Sequence, residues 1–188
     1  MHPPPRFGKK ELKHKDNHPM REQHSVLEAF RRRPPVHPRE LVGLWKGRGI
    51  PAGHPLDGVL ENLGWFGKRF TPDMRADALL FWSGERRLVA IDPARIPLGL
   101  ALRFHKVGRT RAARNLFSYL QRRLRAKGPV ASLTTMVFGG VESAAMVYDD
   151  QPIVDHFRRI DNRSIMGAMT INGDSRIYFF ELEQVDEP

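Results

Sequence analysis

No cysteine occurs among the 188 residues. That excludes disulfide frameworks, thiolate zinc sites and cysteine nucleophiles. Long apolar runs are missing as well: no 18-residue stretch is free of charge, so no transmembrane helix is expected. The opening MHPPPRFGKK carries no apolar secretory core, and a cytoplasmic location is the expectation. Walker A, G-x-G-x-x-G, H-E-x-x-H and G-x-S-x-G patterns are all absent. Nucleotide cradles, zincin chemistry and covalent serine catalysis therefore have no support in the chain.

What is present is the composition of one ordinary folded domain with a tail: 40% apolar and 28% charged residues, net charge +10. The charge is unevenly placed. Residues 1–39 hold ten Lys/Arg against four Asp/Glu, residues 40–102 eight against seven, residues 103–127 nine against none, and residues 128–188 four against ten. A nucleic-acid domain would be basic across its folded part, so no specific nucleic-acid partner is expected. The basic tail and helix could still meet an anionic partner, nucleic acid or membrane.

Proline, lysine and histidine crowd residues 1–21, which read as disordered. Within the tail His14 and His18 stand four apart with His24 nearby, but without carboxylate or cysteine partners at fixed spacing no metal site is expected. A short helix near 25–33 follows, capped by Ser25 with Glu28 three residues on and stopped by Pro34-Pro35. Residues 34–39 read as a stiff linker. After an extended stretch at 40–50, Asp57 caps a helix whose Val59, Leu60, Leu63 and Phe66 share a face. Strands are expected at 78–82 and 87–91. Residues 110–127 form the clearest amphipathic helix, with Ala113, Leu116, Phe117, Leu120 and Leu124 on its apolar side. Five segments, 131–138, 142–149, 152–160, 164–171 and 176–185, then alternate with turn signals, Asn172-Gly173 the strongest. This is an antiparallel meander. The fold expected is mainly β with helices (α+β), a lipocalin-like barrel in which 40–102 and 103–188 pack as one domain.

The stretch GLWKG at 43–47, continuing through RGIPAGHPLDGVLENLGWFGKRF, resembles the GXWXG-domain family, and AMVYDDQPIVDHFRRIDNRSIMGAM at 145–169 resembles the C-terminal domain of unknown function that accompanies it. The resemblance covers about 40–185 and implies no particular activity. A looser similarity joins Gly43-Leu44-Trp45 to lipocalin-like first strands, and Gly43 to Gly49 to the G-x-W-x-G-x-G pattern of nitrobindin-like haem barrels. Both similarities imply an internal pocket.

Trp45 reads as a barrel-closing core residue or as an aromatic wall of that pocket. The densest titratable chemistry is Asp149–Arg158. On a regular strand Asp155 shares a face with Ile153 and Phe157, whereas His156 shares the other with Val154 and Arg158. One of the two would serve as catalytic acid or base; Asp155 is the one expected to face inward. His54, in a Gly-rich loop at a helix start, is expected near the pocket mouth. With Tyr148, Phe157, Met146 and Met169 it completes the ligand-binding set, methionine being tolerant of varied ligands. Haem would need one imidazole, from His156 or His105; otherwise no cofactor is expected. The leading reading is a small-molecule binding protein for a largely apolar ligand. Alternatives are an isomerase, dehydratase or hydrolase using Asp155 or His156 in the same pocket, a haem-binding barrel, and an anionic-partner module. Oligomeric state is left open.

Overall fold

The alternation Gly43, Trp45, Gly47, Gly49 places small residues and one large ring on a single strand face. In the computed structural model, which describes residues 18–84 and 87–186, this stretch is strand β1, Gly43–Ile50. Trp45 lies in the interior cluster, while Leu44 points outward to pack with Phe66 and Leu80. A Cβ at Gly47 would be driven into the Trp65 ring, so the strand must be bare there.

The remaining strands are β2 (Trp65–Phe70), β3 (Arg75–Trp82), β4 (Leu88–Ala90), β5 (Ala131–Phe138), β6 (Val141–Tyr148), β7 (Ile153–Arg159), β8 (Ser164–Ile171) and β9 (Asp174–Val185). Among the described residues they form one antiparallel sheet in the order β2-β1-β9-β8-β7-β6-β5-β3-β4. β2 also pairs with β3, so eight strands close into a barrel and β4 hangs on β3. The expected α+β barrel is the fold. Closure leaves few unpaired strand edges.

The seam between β3 and β5 is short. Arg75 pairs with Ser132 and Ala76 with Ala131, after which β3 turns to β4 through Leu80–Trp82. Helices α3 (Leu98–Arg103), α4 (His105–Gly108) and α5 (Arg111–Leu124) lie over the splayed wall. Thr110 caps α5, its hydroxyl accepting from the Ala113 N–H, and Phe117 packs on Phe81 with ring centroids 4.7 Å apart. Because α5 rests on the barrel along Phe117, Gln121 and Leu124, Leu116, expected on the buried side, is instead 58% exposed.

Three local expectations need correction. The helix placed at 25–33 is α1, His18–Arg31, and Ser25 sits inside it with its hydroxyl donating to the Glu22 carbonyl. Residues 18–21 of the expected disordered stretch are thus helical; residues 1–17, with His14, lie outside the described residues. Nor are 26–39 a tail held off the barrel. Phe30 is fully buried against Phe138 and Phe179, the Val36 N–H donates to the Ser143 hydroxyl, and the Arg159 N–H donates to the Pro34 carbonyl. Finally, the helix expected to run from Asp57 to Phe66 is one turn, α2 (Val59–Asn62), capped by Gly58. Asp57 instead accepts from the Ala52 and His54 N–H groups, tying the preceding turn. Gly64, at φ +84°, reverses the chain into β2, so Phe66 is a strand residue.

Trp45 donates from Nε1 to the Leu41 carbonyl at 2.6 Å and is almost fully buried. Trp45→Ala is expected to lower stability by roughly 3–5 kcal/mol, the range for deleting a buried aromatic. Equilibrium denaturation checks this, and a variant as stable as the parent would remove Trp45 from the core.

Candidate functional site

Along β7 the inward side chains are Ile153, Asp155 and Phe157, two residues apart and so spaced down the barrel axis. Asp155 has no solvent exposure. Its partner comes from the opposite wall: Lys68 of β2, whose Nζ lies 2.8 Å from Asp155 Oδ2. Strict alternation from inward Trp65 would send Lys68 out to water. The register of β2 against β3 shifts on either side of Gly67, whose φ is +150°, and this bulge turns Lys68 inward. A Cβ at Gly67 would collide with the Trp45 carbonyl.

Lys68 uses all its donors. Besides Asp155 it reaches the Ala78 carbonyl at 2.9 Å and the Tyr148 hydroxyl at 3.3 Å. Tyr148 donates in turn to Asp155 Oδ2 at 3.4 Å. Burial, and then the Asp155 charge beside it, push the Tyr148 pKa well above the ordinary phenol value, so the hydroxyl stays protonated. Nζ also stands over the Phe180, Tyr148 and Trp65 rings at 5.1–5.9 Å, which softens the cost of removing a cation from water. One atom is left over. Asp155 Oδ1 is buried and has no hydrogen-bond partner.

Tyr148 links this polar group to a cavity of about 120 Å³. Leu79 and Phe81 of β3, Ile153 and Met169 form its walls, and Leu98, Ala101 and Phe117 of the covering helices form its roof. Its lining is apolar apart from Tyr148 and Gln151. Around the ion pair, outside the cavity lining, Phe157, Phe70, Phe180 and Trp65 fill the lumen in edge-to-face contacts.

Of the residues expected to make the site, Asp155, Tyr148, Met146, Met169 and Phe157 all face the barrel interior, and Tyr148 and Met169 line the cavity. Trp45 is interior but does not line it. His156 lies on the outer face of β7, its ring stacked 4.2 Å from Phe138. Burial lowers its pKa, partly offset by Asp155. His105 sits in α4 with Nδ1 3.0 Å from the Leu102 carbonyl. Among the described residues no imidazole lines the cavity, so neither residue named for haem fits that group there. No cluster of three or more metal-ligating side chains occurs among them. Lys68 escaped the sequence reading; the one signal for it in WFGKRF is Gly67, since a glycine inside a strand can mark a bulge.

His54 is not at an exposed mouth. It is 2% exposed, its ring 5.6 Å from that of Tyr178, and Nδ1 accepts from the Leu56 N–H. Nε2 therefore carries the proton in the neutral form, and it has no partner. Burial, with the Arg176 charge adding to it, lowers the pKa to about 4.

Residues 28–85 match the family described as GXWXG protein, and residues 129–184 match the one described as a domain of unknown function, DUF4334. No curated protein matches the chain. A solved structure titled "Crystal structure of protein from Thermomonospora curvata" is 28% identical, covers 87% of each chain and superposes with a TM-score of 0.63.

The depressed His54 pKa has a signed consequence. Between about pH 6.5 and about 4 the unfolded chain binds a proton there that the fold refuses, so stability falls as the pH drops through that window. His54→Gln is expected to flatten this part of the pH dependence, measured as urea midpoints at several pH values. Identical pH profiles for the two proteins would contradict the buried, neutral imidazole.

Proposed function

The chain belongs to the GXWXG family with its C-terminal DUF4334 domain, and we propose that its barrel binds a small, largely apolar molecule carrying one hydrogen-bond donor. The observation that carries this reading is the apolar cavity with Tyr148 in its wall and, one hydrogen bond further in, a buried carboxylate whose second oxygen lacks a donor. An unsatisfied buried acceptor is costly, and a ligand hydroxyl or N–H aimed at Asp155 Oδ1 would remove that cost. An engineered dry cavity of about 150 Å³ holds benzene, so the cavity here suits one small ring or a short chain. A binding role is favoured over catalysis by Asp155, because Oδ2 is already engaged by the Lys68 ammonium and the Tyr148 hydroxyl.

The test pairs p-cresol with toluene, which differ by the hydroxyl. Thermal shift and NMR titration are expected to show p-cresol binding tighter by at least about tenfold, the worth of one hydrogen bond to a charged group. Lys68→Met alone is expected to cost roughly 3–5 kcal/mol, because it strands a buried charge. Combining it with Asp155→Leu should restore stability and abolish the preference for p-cresol. Equal affinity of both probes for the parent protein, or a preference surviving in the double variant, overturns the reading.

A further inference from the structure

The helices that roof the cavity present a second, outward surface. We propose that the outer face of α3, α4 and α5 docks on an anionic phospholipid bilayer.

Two independent features meet there. The first is charge. Arg103, Lys106, Arg109, Arg111, Arg114, Arg122, Arg123, Arg125 and Lys127 are all exposed, no Asp or Glu interrupts residues 103–127, and among the described residues no carboxylate is ion-paired with any of them. The second is exposed apolar bulk. Leu100, Phe104 and Val107 are 55–58% exposed, Leu116 58% and Tyr119 75%. Leu100 and Arg103 of α3, Phe104 at the junction and Val107 of α4 are all exposed within eight residues, so cations and apolar groups are interleaved there. Along α5, Leu116 and Tyr119 are followed by Arg122 and Arg123 at i+3 and i+4 spacing.

Charge complementarity by itself would suit any polyanion. The apolar side chains select among them. A phosphate backbone offers nothing to bury Leu100, Phe104 or Leu116, whereas the boundary between headgroups and acyl chains takes up aliphatic and aromatic side chains while anionic headgroups receive the cations. The opposite sign of the C-terminal strands, with ten Asp/Glu against four Lys/Arg over 128–188, sets the barrel away from such a surface. The inner faces of the same helices contribute Leu98, Ala101 and Phe117 to the cavity roof, so docking would bring that roof against the acyl region, from which an apolar ligand could enter. Among the described residues no helix is long and apolar enough to cross a membrane, and the proposal is a surface contact.

Flotation of the full chain with vesicles tests it. Phosphatidylcholine vesicles with roughly a third phosphatidylglycerol are expected to carry the protein, and pure phosphatidylcholine vesicles at least about tenfold less. The basic N-terminal residues also favour anionic vesicles, so two variants locate the contact. Leu100→Ser/Phe104→Ser/Leu116→Ser removes apolar bulk that lies outside the cavity lining, and Arg122→Glu/Arg123→Glu reverses charge. Both are expected to keep the parent's melting temperature and to lose at least about tenfold in vesicle binding. Failure of the parent to float with anionic vesicles overturns the proposal. So does flotation unchanged in the serine variant, and so does competition by random duplex DNA that removes the parent from vesicles while the serine variant binds that DNA equally well, which would assign the face to nucleic acid. None of these outcomes depends on p-cresol binding.

Discussion

One ion pair spans the lumen of this barrel. β2 and β7 are separated by three strands in either direction round the closed sheet, and Lys68 and Asp155 reach across to meet at its centre. Removing both charges from water is expensive, and the geometry offsets that cost in several ways: the Coulomb contact, the Ala78 carbonyl, the Tyr148 hydroxyl and three aromatic faces around the ammonium. The arrangement ties opposite walls together at one level.

Around the pair, aromatic rings from β2, β7 and β9 interlock, and β1 must be thin enough to admit them. Gly47 yields its side-chain space to Trp65, and the bare Cα of Gly67 lets β2 approach the Trp45 carbonyl. The G-x-W-x-G pattern is thus a packing requirement: small residues on the same inward face as one large ring, so that neighbouring strands can close on it. The bulge that Gly67 permits also delivers Lys68 to the interior. Closure and polar site come from the same local irregularity.

On the open side the wall parts where β3 leaves β5 for β4, and three helices fill the opening without filling the cavity. Their inner faces are apolar and their outer faces basic, with several large apolar side chains left exposed. Cavity, roof and outer surface are therefore consecutive layers of one structural solution to a barrel that does not fully zip.

Much of this was legible in the chain. Alternating apolar segments with turn signals specified the C-terminal meander, because a side-chain period of two has one physical interpretation when one face is buried. The same alternation put Asp155 beside Ile153 and Phe157 and sent His156 to the other face, as found. Residues 110–127 read as a helix because the apolar spacing of Ala113, Leu116, Phe117, Leu120 and Leu124 is a local property, and the structure forms it over Arg111–Leu124. What the chain did not reveal was decided at a distance. Val59 to Phe66 keeps a helical apolar spacing, yet barrel closure needs a strand from Trp65, and long-range pairing overrides a weak local preference. Phe30 and Val36 looked like part of a tail because the Phe138, Phe179 and Ser143 groups that bury them lie more than a hundred residues away. Lys68 is the sharpest case. Strict alternation assigns it to solvent, and only the bulge at Gly67, held by the packing of β1 against β2, turns a surface-type lysine into the buried cation that Asp155 requires.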